Sequence, residues 1–414
     1  MVARLDEATT AKHPIRSGGL ASTRVDRMHE TMRRYVESGR LPGLVTGVSR
    51  GGFEQIDAVG TIAFGNSEPM RRDTIFRLAS MTKPITAVAT MILVEECRVR
   101  LDDPVDAWLP ELADRKVLRT IDSSLEDTVP AKRSITLRDL LTFRAGYGEV
   151  LFQSWNCPMQ KALADAQLPL VHWPFSDTAD EFMKRLGKLP LVHQPGERWL
   201  YHMCGEILGV LVARVARQSL GLFFRERIFE PLGMKDTAFF VPEEKMNRLP
   251  PCYRTDPSTG QVAIHDAAAG GLYAHPPVFE GGGGGLVSTV DDMLAFGRMM
   301  LGQNGGRDRI LSRPTIELMT MDHLTPEQKA ASPFFPSFWD AYGWGLGLAV
   351  IARRHELGRG PGCFGWDGTF GTSWWIDPVE DIVGVLMSQR VPDTMAMPPI
   401  VGDFWTSVYQ SIVD

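Results

Sequence analysis

A serine and a lysine three residues apart are the first side chains in this sequence whose types and spacing could do chemistry together. Ser80 and Lys83 form the only Ser-x-x-Lys of the chain, and an apolar run from Ala87 to Val94 follows them. The run predicts a largely buried helix of about five turns that begins near Ser80. Residues three apart are neighbours on one face of a helix, so the hydroxyl and the amine would meet at the helix N-terminus. A desolvated neutral lysine can remove the serine proton there and create a nucleophile.

Ser49 is the alternative nucleophile, because residues 47–51 match the pattern Gly-x-Ser-x-Gly. That pattern works as a nucleophile elbow only where a strand, a sharp turn and a helix follow one another. Here two predicted strands, 44–49 and 53–60, flank an Arg-Gly-Gly turn. We therefore expect a hairpin and interpret Ser49 as an ordinary turn serine.

The composition disfavours several functional classes. The 414 residues carry a net charge of −6 and hold no run rich in Lys or Arg, which disfavours nucleic-acid binding. The polar N-terminus lacks the apolar segment of a signal peptide, and no stretch approaches the ~20 apolar residues of a membrane span. Five scattered cysteines without a Cys-x-x-Cys indicate free thiols in a reducing compartment. We therefore predict a cytoplasmic protein without a membrane span.

The sequence predicts neither a metal nor a cofactor. No pair of His, Cys, Asp or Glu residues stands at zinc-ligand spacing. The glycine run 281–285 lacks the Gly-Lys-Ser/Thr ending of a phosphate-binding loop. We interpret this run as a flexible hinge that leaves room beside the active site.

The order of the predicted elements indicates an α+β fold. An N-terminal amphipathic helix and the hairpin come first, a long helical stretch follows, and strands return from Leu346 to Ser388 before a closing helix. Short turns between successive strands imply an antiparallel sheet. We expect this sheet to be flanked by the N- and C-terminal helices, with a large all-helical domain inserted. The predicted boundaries are 1–75 and 281–414 for the α/β domain, and 76–280 for the helical domain that carries the Ser-x-x-Lys and Tyr201 motifs.

Three segments, in this order along the chain, resemble a known family. They are the Ser-x-x-Lys at 80–83, Tyr201 after a Pro-Gly turn, and Gly-Trp-Asp-Gly-Thr at 365–369 on a late strand. Together with the order of elements, they resemble the serine β-lactamase-like superfamily, in its class C-like branch and nearest to the family VIII carboxylesterases. The resemblance covers the chain from about Leu41 to the C-terminus. It implies a β-lactamase/transpeptidase-like fold and chemistry through an acyl-enzyme.

The resemblance implies a role for each matching position. Ser80 would be the nucleophile, and Lys83 and Tyr201 would act together as its base. A phenol beside an ammonium group gives up its proton more readily than an isolated one. Backbone N–H groups of Ser80, at the helix start, and of Thr369, on a strand, would form the oxyanion hole. The residues expected to bind substrate are Trp366, Gly368, Met203, His202 and Tyr147.

Two departures from the β-lactamase pattern favour esters over β-lactams. The tyrosine motif of that branch ends in an asparagine that binds the substrate amide, but Met203 stands at this position. The Lys-Thr-Gly-like motif is replaced by Trp366-Asp367-Gly368, which is similar to the Trp-x-Gly of the esterases. On a strand, Asp367 points away from its two neighbours, so we interpret it as structural. We interpret His202 as a pocket-lining or hydrogen-bonded histidine rather than the base.

We therefore predict a serine hydrolase that cleaves carboxylic esters with short to medium acyl chains, its partner being a small-molecule ester. Three alternatives stay open: an acyltransferase on the same scaffold, a β-lactamase or D-amino-acid peptidase, and a catalytically dead binding protein. The missing export signal, Met203 and Trp366 weigh against the second. The intact Ser80, Lys83 and Tyr201 weigh against the third. The sequence makes no prediction of oligomeric state.

Overall fold

The computed structural model describes residues 15–148 except 17, 157–168, 177–303, 309–332, 334–394 and 397–413. Seven of the strands in this part of the chain form one sheet, and the other eight form short two-stranded pairs. In chain order the strands are β1 Ile15–Arg16, β2 Leu20–Ala21, β3 Gly43–Arg50, β4 Phe53–Gly60, β5 Phe76–Arg77, β6 Lys116–Leu118, β7 Thr128–Pro130, β8 Cys252–Thr255, β9 Val262–Asp266, β10 Val287–Ser288, β11 Tyr342–Trp344, β12 Ala349–Ile351, β13 Phe364–Gly368, β14 Thr372–Asp377 and β15 Ile382–Met387.

The helices lie before, between and after the strands of the sheet. They are α1 Ser22–Glu37, α2 Thr82–Glu95, α3 Leu137–Leu141, α4 Pro158–Asp165, α5 Ala179–Gly187, α6 Met203–Ala216, α7 Leu220–Phe224, α8 Glu230–Leu232, α9 Val290–Met300, α10 Arg313–Met319, α11 Pro326–Ala330, α12 Phe338–Ala341 and α13 Pro399–Gln410. Among the described residues, no single helix is long and apolar enough to cross a membrane. One bent pair, Met203–Ala216 with Leu220–Leu232, meets the criteria of length and composition jointly, with 79° between its halves.

The central sheet has seven strands in the order β11-β12-β13-β14-β15-β3-β4, and every neighbouring pair is antiparallel. The N-terminal hairpin joins the C-terminal strands because β3 pairs with β15. Ser49 lies within that hairpin, opposite Glu54 on β4 and Val383 on β15. A second strand follows the turn where a nucleophile elbow needs a helix. The predicted hairpin is therefore confirmed.

Helices cover the two faces of this sheet. Successive residues of a strand point to opposite faces. On β15, Val383 lies against Gly297 of α9, and the next residue, Gly384, lies under the indole of Trp405 on α13. The N-terminal helix α1 packs beside α13 on the second face. The predicted α+β fold, an antiparallel sheet flanked by N- and C-terminal helices, is confirmed.

The inserted segment is mainly helical, but it is not all-helical as predicted. It contains two short hairpins, β6–β7 and β8–β9, and its first strand, β5, pairs with β10. The sequence predicts no strand at β9, because residues 262–265 do not alternate between apolar and polar. In the structure all four of these residues are exposed. Long-range bonds hold this hairpin instead: the Tyr253 N–H donates to the Gln389 carbonyl at 3.0 Å. The domain boundaries themselves stay a prediction.

The glycine run 281–285 is buried and closely packed, so the prediction of a flexible hinge is wrong. An added Cβ at Gly282 would come within 2.7 Å of the Gly205 carbonyl oxygen on α6, and one at Gly283 would clash with the Glu206 carboxyl group. From the other side, Thr86 of α2 donates its hydroxyl hydrogen to the Gly282 carbonyl at 2.7 Å. Because glycine has no side chain, α2 and α6 can pack closely against this segment.

Candidate active site

Ser80 lies in a 3₁₀ turn, Ala79–Met81, that leads directly into α2. The helix is buried from Thr82 to Leu93, as the apolar run predicts. Ala79 has a φ of 46°, which is uncommon for a residue with a side chain and marks local strain. The Leu78 N–H donates to the Leu286 carbonyl at 2.8 Å and helps to hold the strained turn. This turn presents the Ser80 hydroxyl at the helix start with 7% of the residue exposed.

Lys83 is 2% exposed and lies one turn after Ser80 on the same face of α2. Its Nζ donates to Ser80 Oγ at 2.9 Å and to the Gly283 carbonyl at 2.6 Å, and lies 3.2 Å from His202 Nδ1. An ammonium group has three N–H bonds, and each of these three atoms can accept one of them. The predicted pairing of the serine and the lysine is therefore present, in a buried setting where electrostatic interactions are strong.

Tyr201 stands two residues before the start of α6, and its ring lies beside Lys83. The Lys83 Nζ lies 4.8 Å from the centre of its ring. The Trp366 Nε1–H of β13 donates to the Tyr201 hydroxyl oxygen at 2.6 Å. The serine, the lysine, the tyrosine and the tryptophan, which are far apart in sequence, are therefore brought together where α2, α6 and β13 meet.

His202 precedes the first turn of α6 with φ 81° and ψ −59°, the backbone of a strained classic γ-turn. This conformation turns its ring toward α2, so that Nδ1 faces Lys83 and Nε2 lies 3.2 Å from Glu206 Oε1. Nε2 and the carboxylate are within ion-pair distance but are not aligned as a hydrogen bond. Burial and the Lys83 charge hold the pKa of His202 well below its usual value. The hydrogen-bonded interpretation of His202 agrees with this geometry.

Glu206 is the residue that the sequence reasoning missed. It is fully buried in α6, four residues after His202, and burial raises the pKa of its carboxyl group to about 8. The signal was present in the sequence, because a single acidic residue interrupts an otherwise apolar helix one turn after a candidate site residue. Burying a carboxyl group without a partner is costly. The position of Glu206 beside Lys83 and His202 therefore calls for a functional explanation.

Two of the predicted substrate contacts, Tyr147 and Met203, are buried in this structure, and their contact with substrate stays a prediction. Tyr147 is buried, and its hydroxyl lies 3.4 Å and 3.3 Å from the carbonyl oxygens of Leu186 and Leu189, which gives it a structural place in the inserted segment. Met203 is 1% exposed at the start of α6, so its side chain is covered by the core. Sequence position alone does not show which way a side chain near a motif points.

The end of β13 lies against the nucleophile turn. An added Cβ at Gly368 would clash with the Leu78 carbonyl, so only glycine fits there. Thr369 is exposed and lies in the turn after β13, not on the strand as predicted. The contribution of its N–H to an oxyanion hole stays a prediction. Asp367 points to the opposite face, where it accepts a hydrogen bond from Trp375 Nε1 at 3.0 Å, and this confirms that it points away from its two neighbours.

Several aromatic rings lie close to Tyr201 and Trp366. Their centres lie 4.9–6.5 Å from one or both of these two rings. We call this group the aromatic wall; its members are Trp199, Tyr201, Phe334, Phe338, Trp344 and Trp366. Two of its rings come from the stretch 334–341, which the sequence reasoning did not connect with the site. Among the described residues, no three His, Cys, Asp or Glu side chains are grouped so as to hold a metal ion, and the absence of a metal or cofactor stays a prediction.

The flanked antiparallel sheet, with a Ser-x-x-Lys helix packed against one of its strands, defines a class of protein, the β-lactamase/transpeptidase-like fold. The family model described as Beta-lactamase matches residues 28–399. The match covers most of the chain, and the chain therefore belongs to the beta-lactamase family. Members of this family related to the chain include esterases and acyltransferases.

Individual comparisons agree over nearly the full length. Protein Rv1367c of Mycobacterium tuberculosis is 38% identical over 379 residues, covering 89% of this chain and 91% of that protein. Lovastatin esterase of Penicillium rubens is 29% identical over 409 residues, covering 93% and 96%. Among solved structures, EstCE1, a hydrolase with promiscuous acyltransferase activity, matches with a TM-score of 0.76 at 23% identity, covering 94% of this chain and 98% of EstCE1. The last comparison shows the fold alone.

Proposed function

We propose that this chain is a serine esterase that cleaves carboxylic esters of short to medium acyl chains through an acyl-Ser80 intermediate. The observation that carries the proposal is the buried pair in which Lys83 Nζ lies 2.9 Å from Ser80 Oγ. A serine hydroxyl becomes a good nucleophile only when a base is positioned to accept its proton. Esterase relatives that match nearly the whole chain support the choice of an ester as substrate.

In the proposed reaction, Lys83 accepts the Ser80 proton as Oγ bonds to the ester carbonyl carbon. The carbonyl oxygen becomes an oxyanion that the N–H groups of Ser80 and Thr369 would stabilise. The C–O bond of the ester then breaks, and the leaving alkoxide takes a proton from Tyr201 or Lys83. Water attacks the acyl-enzyme in the second half by the same steps and releases the carboxylic acid. General-base assistance of this kind contributes typically about 10²–10⁴-fold in rate.

The surroundings of the site favour an uncharged, apolar substrate. Trp366 and Phe334 belong to the aromatic wall and offer apolar surface beside the tyrosine. Met203 supplies no donor for a substrate amide, and Trp366 supplies no cation for the carboxylate of a β-lactam. We therefore expect β-lactams and D-amino-acid peptides to be poor substrates. We also propose a cytoplasmic location, which five free thiols favour.

Acyl transfer is the second candidate, because it differs only in the nucleophile that removes the acyl group from Ser80. The rings of Phe334 and Trp366 beside Tyr201 offer apolar surface that an alcohol acceptor can use for binding and water cannot. Relatives named as acyltransferases, among them acyltransferase calJ of Penicillium decumbens, support this alternative.

The test is a panel of p-nitrophenyl esters of increasing chain length, with nitrocefin as the β-lactam. We expect p-nitrophenyl butyrate to be cleaved far faster than nitrocefin. A simple alcohol added to the butyrate reaction separates the two candidates, because mass spectrometry distinguishes butyric acid from the new ester. Comparable kcat/KM for nitrocefin and the ester would refute the substrate class, and a dominant new ester would favour the acyltransferase.

A further inference from the structure

The contacts of Lys83 leave one step of the proposed reaction unexplained. Three acceptors lie within hydrogen-bond reach of its Nζ: Ser80 Oγ, the Gly283 carbonyl and His202 Nδ1. Such a shell suits an ammonium group, which has three protons to donate and no lone pair. An ammonium group cannot accept the Ser80 proton, so Lys83 must first lose one of its own. The acceptor of that proton has to lie within hydrogen-bond reach.

His202 is the one of the three acceptors that can take a proton and pass another one on. The carbonyl of Gly283 is not basic, and Ser80 is the group to be deprotonated. The imidazole has two nitrogens on opposite sides of the ring, and here they face two ionisable groups. Nδ1 lies 3.2 Å from Lys83 Nζ, and Nε2 lies 3.2 Å from Glu206 Oε1. Catalytic hydrogen bonds are often long or poorly aligned before substrate binds, so the poor alignment of the second contact does not exclude proton transfer.

We propose that His202 and Glu206 form a buried proton relay that removes the resting proton of Lys83 and so creates the base that Ser80 needs. The relay rests on the proposed acyl-Ser80 mechanism. One proton moves from Lys83 Nζ to His202 Nδ1, and another moves from His202 Nε2 to Glu206 Oε1. The ammonium becomes an amine, the carboxylate becomes a carboxylic acid, and the imidazole changes tautomer without changing charge. Lys83 then has the lone pair that accepts the Ser80 proton.

Burial is the physical reason why this exchange is accessible. A separated positive and negative charge in a dry interior are costly unless they are closely paired, and transferring the proton replaces both with neutral groups. Burial raises the pKa of Glu206 to about 8 against the lowering effects of Lys83 and the Gly283 N–H. The carboxylic acid that the relay forms is therefore stable near neutral pH, and the relay starts from the fraction of molecules in which Glu206 is ionised. The pKa of His202 is lowered, chiefly by burial, so the imidazole ring stays neutral while it passes a proton from one nitrogen to the other.

Other ionisable groups near the relay come from neighbouring segments. The Tyr201 ring lies 5.9 Å from the His202 ring, centre to centre. Tyr273, in the segment after β9, is buried, and its pKa is raised chiefly by burial, with a small contribution from the Glu206 charge. With Lys83, these two phenols are titratable groups near the pair. Burial raises the pKa of Tyr273, which keeps this phenol neutral near pH 7. A contribution of Tyr201 to the pH–rate profile is tested separately by Trp366→Phe, which removes the donor to its hydroxyl oxygen.

The experiment compares Glu206→Gln, Glu206→Asp and His202→Asn with the unchanged chain. Glutamine keeps the size of the side chain but cannot act as the proton acceptor. Asparagine tolerates the positive φ of residue 202 and keeps an acceptor for Lys83, but it cannot pass a proton across a ring. We expect Glu206→Gln and His202→Asn each to lower kcat/KM at neutral pH by about 10–100-fold and to move the acidic limb of the pH–rate profile upward by about one unit or more. Glu206→Asp should recover part of the rate.

A matched control is Asp292→Asn, which removes another buried carboxyl group of this chain, and it should leave the pH–rate profile unchanged. The double variant Glu206→Gln/His202→Asn should be no worse than either single one, because members of one relay fail together. A profile that keeps its shape in Glu206→Gln, or losses that multiply in the double variant, would overturn the relay and leave the pair a packing role.

The rate at which a fluorophosphonate probe labels Ser80 gives a second reading that needs no ester turnover. It should show the same upward shift of its pH dependence in Glu206→Gln. If the unchanged chain labels at Ser80 but cleaves no ester, the proposed function fails while the labelling rates still test the relay. Equal labelling rates in the two proteins across the pH range would refute the relay even in an active esterase.

Discussion

The hydrogen bond from Trp366 to Tyr201 allows a sharp test of whether Tyr201 acts as a base together with Lys83. The indole Nε1–H donates to the phenol oxygen at 2.6 Å, and such a donor stabilises a phenolate more than a neutral phenol. Trp366→Phe removes the donor and keeps an aromatic ring in the wall. If Tyr201 takes part as a phenolate, the variant should be slower because its base is harder to form.

The expected size follows from the strength of the bond. A hydrogen bond to a charged group contributes about 1.5–3 kcal/mol, and about 1.4 kcal/mol corresponds to a factor of ten. We therefore expect kcat/KM for p-nitrophenyl butyrate to fall roughly 10–100-fold at neutral pH. The acidic limb of the pH–rate profile, measured from about pH 5 to 10, should move upward by about one to two units for the same reason.

The matched control is Trp375→Phe. Trp375 is 1% exposed on the adjacent strand β14, and its Nε1–H donates to Asp367 on the opposite face of the sheet. Both variants lose an indole ring from a buried place, so both should lower the melting temperature, but only Trp366→Phe should change the profile. A folded Trp366→Phe protein with kcat/KM within about twofold of the unchanged chain at every pH would refute the reasoning.

Three further predictions follow from the same site and core. A fluorophosphonate probe should label Ser80 and leave Ser49 unlabelled, as peptide mass spectrometry would show; label on Ser49 would remove Ser80 as nucleophile. Lys83→Ala and Tyr201→Phe should each reduce kcat about 10²–10⁴-fold with unchanged circular dichroism, and a fully active Tyr201→Phe would exclude the phenol as base. Burial raises the pKa of Asp292 to about 6 from 3.8. This carboxyl group therefore favours folding below pH 4, and that contribution is lost as the pH rises through 6. Urea titrations should show Asp292→Asn gaining up to about 3 kcal/mol relative to the unchanged chain between those values; a constant difference would contradict the raised pKa.

Local patterns predicted much of the fold because their physics is local. The hairpin of β3 and β4 follows from two apolar runs around Gly51 and Gly52, both of which have positive φ in the structure. The start of α3 follows from the capping box in which Thr136 accepts the Asp139 N–H and Asp139 accepts the Thr136 N–H. These features depend on residues a few positions apart, which a sequence displays directly.

The features that could not be predicted depend on partners far along the chain. The β8–β9 hairpin is anchored by Arg77, which is fully buried and donates to Asp266 at 2.6 Å and to Gln389 at 2.8 Å. These partners stand 189 and 312 positions away. A buried arginine of this kind is tolerated only because its partners satisfy it. In the sequence alone, Arg77 looks like a surface residue beside the Ser-x-x-Lys motif.

In the candidate site too, pairs close in sequence could be predicted and contacts between distant residues could not. Ser80 and Lys83 could be paired in advance because three residues separate them on one helix. His202 and Glu206 satisfy the same spacing rule on α6, yet their partner lies on α2, and only the tertiary structure brings the imidazole between the lysine and the carboxyl group. What makes that approach possible is the absence of a side chain at Gly283, where a Cβ would clash with the Glu206 carboxyl group. A glycine that the sequence indicates as loose is therefore a steric requirement for placing a buried acid within reach of the proposed base.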